Sequence, residues 1–159
     1  MSHRTCLSYW FPKLGAAGIP VPKTEIIRLE DGGHKMFGVF DGEPEGKKAV
    51  KELADWVRAS VNIVKGPPAF LRTGMGSGKH NWKNCCFLSE PLASENHIIA
   101  LMEWSELVDF MGLPFNVWCV REMLPVNQVI TLPRYGDMPL ITEVRAFIKD
   151  GKVVCSHDY

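Results

Sequence analysis

The sequence predicts a mixed α+β fold in which helices alternate with antiparallel hairpins. Three observations predict it. Apolar residues recur at three- and four-residue spacing from Gly46 to Val61. Short apolar runs flank Asp-Gly turns. A glycine-rich stretch, Arg72-Thr73-Gly74-Met75-Gly76-Ser77-Gly78-Lys79, is entered from one strand-like run and left by another. At 159 residues and 46% hydrophobic content, the chain can bury one compact core or two small lobes sharing an interface.

Taken in order, Tyr9 to Pro22 mixes aromatics with Pro12, Pro20 and Pro22 and reads as a short helix or turn followed by an extended stretch. Thr24 to Leu29 reads as a strand and Lys35 to Phe40 as its hairpin partner across Asp31-Gly32-Gly33. From Gly46 to Val61 the period changes. Ala49, Val50, Leu53, Ala54, Val57 and Val61 share one helical face, with Lys47, Lys48, Lys51, Glu52 and Arg58 on the other, and Lys65-Gly66-Pro67-Pro68 ends the helix.

Ala69 to Leu71 is a strand into the glycine-rich stretch, and Cys85 to Leu88 a strand out of it. A second helix starts near Ser94, an N-cap residue type, carries Ile98, Leu101, Met102, Val108 and Met111 inward, and stops at Gly112-Leu113-Pro114. Val117 to Met123 is another strand, Pro125 to Pro139 a long loop, and Ile141 to Ile148 with Lys152 to Cys155 a hairpin around Asp150-Gly151.

Eighteen basic residues balance eighteen acidic ones, so no broad field favours nucleic acid or an anionic membrane, and any phosphate binding must be local. No apolar run reaches the ~20 residues of a spanning helix, and no signal-peptide core follows the N-terminus. Five cysteines without a C-x-x-C pair read as buried, reduced thiols, which together with these features points to the cytoplasm.

Alternate glycines at 74, 76 and 78 allow backbone N–H groups to turn toward one point, and Arg72, Ser77 and Lys79 add donors beside it, an arrangement suited to polyphosphate. The same composition also suits an exposed hairpin tip. A Walker-A loop is excluded by Thr73 at the first glycine position, by His80 after Lys79, and by the strand-like run that follows. A dinucleotide fingerprint fails because no glycine lies three residues beyond Gly76. Strand–glycine loop–strand remains, as in flaps over phosphates.

Glu122, at the end of an apolar strand, can accept from an adenine amino group while the next backbone groups meet the ring edge. Glu143 and Arg145 project together on an alternating strand, where they can bridge ribose and phosphate or simply form a cross-strand ion pair.

Several of these pieces together resemble a known family. Phe70-Leu71-Arg72-Thr73, Ser77-Gly78-Lys79-His80 with Trp82, Val120-Arg121-Glu122, Met138-Pro139 and Glu143-Val144-Arg145-Ala146-Phe147 resemble the ATP-grasp superfamily, in an uncharacterised phage and bacterial branch distantly similar to the cell-division-cycle protein 123 family. The resemblance covers most of the chain. It implies two small α+β lobes with ATP between them: residues 1–43 as a preceding segment with a hairpin, 44–116 as the glycine-loop lobe, and 117–159 as the hinge and the start of a second lobe.

The resemblance further implies that Arg72, Thr73, Gly74, Gly76, Ser77, Gly78 and Lys79 bind phosphate. Glu122, Met123 and Leu124 would hold adenine, Glu143 would lie near the ribose, and Arg145 would be the catalytic cation. The implied cofactors are ATP and Mg²⁺. The implied reaction is ligation of a carboxylate to an amine through an acyl phosphate, with a protein or peptide among the possible substrates. The alternative is a degenerate module that engages a protein partner without catalysis. Magnesium ligands of the ATP-grasp type are expected after Asp150-Gly151, where only Asp158 offers an acid, so the expectation includes a chain lacking its metal-binding strands.

Overall fold

The structure, a computed structural model, describes residues 4–31, 33–90, 94–107, 116–125 and 128–158. The described residues form three α-helices, α1 (Leu7–Ala16), α2 (Pro44–Ile63) and α3 (Ser94–Leu107). Their strands are β1 (Thr24–Arg28), β2 (Ala69–Thr73), β3 (Phe87–Leu88), β4 (Val117–Glu122), β5 (Gln128–Leu132), β6 (Met138–Ile141), β7 (Val144–Lys149) and β8 (Lys152–Asp158). The fold is therefore mixed α+β with antiparallel pairing.

One four-stranded sheet has the order β1-β4-β2-β3, while β5–β6 and β7–β8 form separate hairpins. Within the sheet β4 pairs with β1 on one side, Ile26 opposite Cys119, and with β2 on the other, Leu71 opposite Val120. The sheet thus takes strands from all three stretches that the sequence divides at residues 43 and 116.

The two sheet faces bury different sets of residues. Ala69, Leu71, Trp118 and Val120 pack on Val50, Leu53, Ala54, Val57 and Val61 of α2 and on Ile98, Leu101 and Met102 of α3. These are the residues that helical spacing assigns to the inner faces of α2 and α3. On the reverse face Val117 and Cys119 pack on Cys6, Leu7 and Phe11 at the start of α1. Because side chains alternate along a strand, one central strand serves both cores.

The expected hairpin partner at Lys35–Phe40 is instead a 3₁₀ turn, His34–Val39. The Asp31 carboxylate accepts from the amides of Gly33 (3.0 Å) and Lys35 (3.2 Å), and Gly33 takes a left-handed φ of 84°. Local side-chain capture of these amides competes with a returning strand, and β1 finds its partner in β4 far along the chain. The expected loop from Pro125 to Pro139 contains the β5–β6 hairpin.

The strand leaving the glycine stretch is shortened to Phe87–Leu88, because Trp82–Cys86 forms a π-helical turn. His97 of α3 holds this turn: its Nε2 lies 2.8 Å from the Lys83 carbonyl oxygen and 2.9 Å from that of Phe87. The turn at Asp150-Gly151 is as expected, both residues having positive φ (50° and 73°), the pattern of a two-residue hairpin turn. Cys155 departs from the expectation of buried thiols. Cys6, Cys85, Cys86 and Cys119 are buried, but Cys155 is exposed on β8. The expected stop at Gly112-Leu113-Pro114 lies outside the described residues, as do Val108 and Met111. No described helix is long and apolar enough to cross a membrane.

The start of α2 is seated against the 3₁₀ turn at Gly46, where an added Cβ would come 2.2 Å from the Val39 nitrogen and 2.4 Å from the Gly38 carbonyl carbon. Backbone cannot yield as a flexible side chain does, so Gly46→Ala should lower stability by more than about 2 kcal/mol in urea denaturation. Gly15, inside α1 with nothing within 4 Å of its added Cβ, supplies the contrast. Gly15→Ala should leave stability unchanged or raise it by about 0.5–1 kcal/mol. Equal losses in the two variants would contradict the packing argument.

Candidate functional site: a cavity at the end of strand β4

The glycine-rich stretch is packed down rather than open. Thr73 is buried, and its hydroxyl accepts from the amides of Met75 (3.3 Å) and Gly76 (2.9 Å) while donating to the Gly76 carbonyl (3.1 Å). The Gly74 amide donates to the Val117 carbonyl (2.7 Å), and the Gly74 carbonyl accepts from the Leu7 amide (2.8 Å). Three of the amides in the expected phosphate cradle are therefore engaged within the chain.

The glycines answer to packing. A Cβ at Gly74 would lie 2.5 Å from Cys6 Sγ and 2.8 Å from Val117 Cβ. Gly78 has φ +60°, and its added Cβ would lie 2.8 Å from Cys85 Cβ and 2.9 Å from Leu101 Cδ1. Ser77 is partly exposed beside them, and exposed His80 sets its ring edge-on to Tyr135, 5.0 Å between centroids.

Beyond this loop the chain forms a cavity of about 280 Å³. Phe70, Trp82, Met138, Pro139, Leu140 and Ile141 form its apolar walls. Lys79, Arg121, Glu122 and Glu143 are its charged groups, with Pro22, Met123 and Leu124 completing the lining. Trp82 lies 5.7 Å from Phe70 and stacks on Phe87 at 5.4 Å, so the aromatic wall is held from behind. Elements from distant parts of the sequence meet here: β2 gives Phe70, the π turn Trp82, the end of β4 Arg121 to Leu124, and β6 the opposite wall.

Of the residues singled out in the sequence, Lys79, Glu122, Met123, Leu124 and Glu143 line this one cavity. Arg72 is its neighbour rather than its wall. On β2 it lies two residues beyond Phe70, and register pairs Phe70 with Arg121 and Arg72 with Cys119, so Arg72 and Arg121 are diagonal neighbours on one sheet face. Arg145 lies elsewhere, on the exposed strand β7 opposite His157. Glu143, just before that strand, reaches the cavity, so the two residues expected to act together are separated.

The two arginines are the site's main electrostatic feature. Burial lowers the pKa of both; for Arg121 the neighbouring Arg72 lowers it further, while for Arg72 the nearby thiols of Cys119 and Cys6 act the other way. Among the described residues neither guanidinium has a carboxylate partner. Arg72 Nε donates to the Thr73 carbonyl (2.9 Å), and Arg121 lies over the Phe11 ring at 5.9 Å. Two half-buried like charges side by side are costly without an anion. Arg121 was visible in the sequence only as the residue before Glu122; the register that makes it a neighbour of Arg72 is long-range.

Glu122 already has partners. Its Oε1 accepts from the Lys23 amide (2.8 Å), its own amide donates to the Lys23 carbonyl (2.9 Å), and its other oxygen pairs with Lys65. Lys23 Nζ donates to the Ile63 carbonyl at the end of α2 (3.0 Å). Glu122 thus ties together the end of β4, the segment entering β1 and the turn after α2. Lys23 takes part in this tie through its amide, its carbonyl and its ammonium. Among the described residues no group of three or more His, Cys, Asp or Glu converges as a metal site.

No protein-family profile, curated protein or solved structure matches this chain.

Two predictions follow from these environments. Burial raises the thiol of Cys85 to about 11 and that of Cys119 to about 12, and raises that of Cys86 as well. In dilute native protein at pH 8 a thiol reagent should therefore modify Cys155 fast and the buried cysteines only on unfolding; fast reaction at a second cysteine would contradict this. The Lys65 ammonium, then the Lys23 amide, hold the Glu122 carboxyl below its ordinary value of 4.5. A lowered folded pKa gives stability that is present above the ordinary value and lost as pH falls through the folded one. Glu122→Gln should flatten that acid limb in denaturation curves taken across pH, while leaving the shape above it unchanged.

Proposed function

We propose that this chain binds ATP in the cavity at the end of β4, as an ATP-grasp-type protein. The base and sugar lie between Phe70 and Trp82 on one side and β6 on the other, and the phosphates lie toward Lys79, Arg121 and Arg72. The observation that carries this reading is the pair of desolvated guanidiniums, without a carboxylate partner among the described residues, beside an aromatic-walled cavity. Anions stabilise such a pair, and an apolar slot with a few charged groups at its rim suits a heteroaromatic ring. At about 280 Å³ the cavity stands at the small end of ligand pockets, roughly 300–1,000 Å³, so it encloses a nucleoside and leaves the phosphates at its mouth.

Within this reading the glycine-rich stretch is a packed support that sets Lys79 and Trp82 at the cavity, and its amides contribute little to the phosphates. Glu122 positions the strand end; the hinge backbone at Met123 and Leu124 meets the base. The reaction class proposed is ATP-dependent ligation of a carboxylate to an amine through an acyl phosphate, in which Mg²⁺ would neutralise the phosphates. Among the described residues no group of three or more His, Cys, Asp or Glu composes a site for that ion.

A second reading, a degenerate module that engages a protein partner without catalysis, is favoured by one observation. Val144, Phe147, Ile148, Val153 and Val154 are exposed on β7–β8. The two readings separate on nucleotide binding. Calorimetric titration should show ATP binding that weakens about tenfold or more in each of Arg72→Ala and Arg121→Ala, while adenosine binds all three proteins alike. Adenosine binding also reports that the variants are folded. Absent ATP binding by the unaltered protein, or undiminished affinity in both variants, would contradict the proposal.

A further inference from the structure

A second cavity, of about 440 Å³, lies beside the first and shares Trp82, Met123, Leu124 and Pro139 with it. Phe70 lines the first and Phe87 the second, and Trp82 is in ring contact with both. Among the described residues the charged groups that line the second cavity are Lys83 and Asp137, which pair with each other. Arg72, Lys79 and Arg121, assigned above to phosphate, do not line it. We propose that this cavity is a separate site for a free α-amino acid with an apolar side chain.

Both of its charges are set in place by backbone. Lys83 lies in the π turn, and its carbonyl is held by His97 (2.8 Å). Asp137 takes a left-handed φ of 58°, which Asp tolerates better than most residues. The preceding Gly136 seats this turn on the π turn: an added Cβ would lie 3.2 Å from the Lys83 nitrogen and 3.3 Å from the Trp82 nitrogen. The ion pair is thus placed at the cavity by two chain segments in close contact.

That pair decides the charge pattern of the ligand. A lone anion beside it is drawn by Lys83 and repelled by Asp137, and a lone cation meets the reverse, so the two effects largely cancel. A zwitterion escapes the cancellation. Its ammonium and carboxylate are borne on one carbon, so laid head to tail it sets its carboxylate on Lys83 and its ammonium on Asp137 at once. Both protein side chains are about half exposed, and such a pair is worth little alone, so it adjusts readily. The ligand's side chain then meets Trp82, Phe87 and Pro68, where burial of apolar surface adds to the affinity. The volume lies within the roughly 300–1,000 Å³ of small-molecule pockets.

Calorimetric titration of the full chain, without nucleotide, tests the proposal and leaves the ATP reading aside. L-phenylalanine and L-leucine are the probes. Phenethylamine and 3-phenylpropionate each lack one charge of L-phenylalanine and should bind about tenfold more weakly or worse. A peptide end carries only one of the two charges, so these analogues stand for it as well. Lys83→Gln should weaken L-phenylalanine about tenfold and remove its advantage over phenethylamine, while Asp137→Asn should remove its advantage over 3-phenylpropionate. Both positions are solvent-facing, and thermal unfolding verifies that the variants are folded. The proposal is overturned if neither amino acid binds up to about 10 mM, beyond the millimolar range of weak ligands. It is overturned equally if an analogue matches L-phenylalanine in the unaltered protein, or if both variants keep full affinity.

Discussion

Strand β4 is bonded along both edges, to β1 and to β2, and its residues Val117 to Val120 are buried on both faces. Two separate cores meet on it: Trp118 and Val120 belong to the helix pair α2 and α3, Val117 and Cys119 to α1. Its backbone polar groups would be costly to leave unpaired in that setting, so β1 and β2 are each fixed to it in register. The glycine-rich stretch hangs from the same strand through Gly74 and the Val117 carbonyl. At its far end β4 delivers Arg121 to Leu124 to the cavity. The site is thus a consequence of where one doubly paired strand stops being covered.

The glycine-rich stretch shows how one pattern can serve two ends. Its alternate glycines suggest amides converging on an anion, yet Gly74 and Gly78 are needed because β4, α1 and α3 approach too closely for a Cβ. The Thr73 hydroxyl takes up two of the amides. What the stretch offers the cavity is placement: it turns the chain so that Lys79 and Trp82 face Phe70 and Arg121. The cationic character comes from strands rather than from the loop, through the diagonal neighbours Arg72 and Arg121.

Local period made the helix over Gly46 to Val61 legible, along with the strand at Val117 and the turn at Asp150-Gly151, since these depend on spacing and on φ preferences within a few residues. The 3₁₀ turn at His34–Val39 was missed because Asp31 captures amides that a hairpin would have used. The π turn at Trp82–Cys86 was missed because its organiser, His97, lies on a later helix. At the cavity, Lys79, Glu122, Met123, Leu124 and Glu143 were read from the sequence and stand together, whereas Arg145, on the exposed strand β7, does not line it. Phe70, Trp82 and Arg121 were read from the sequence only as pieces of the resemblance, and their meeting at one cavity depends on the register of β2 on β4 and on the π turn. The prior occupation of Glu122 by Lys23 and Lys65 is likewise a contact across most of the chain and has no local signature.

In the proposed binding mode the Arg72 and Arg121 guanidiniums, on the sheet face beside β4's end, receive the phosphates of a nucleotide whose base sits against Trp82. Nitrogen-15 chemical-shift mapping during an ATP titration tests it most directly, because the Arg72 and Arg121 Nε–H signals and the Trp82 indole N–H signal report on the two halves of the ligand separately. All three should move with one saturation curve, and adenosine should move the Trp82 signal while leaving the arginine signals in place. Arginine signals that stay fixed through saturation with ATP, or shifts confined to residues away from the cavity, would contradict it.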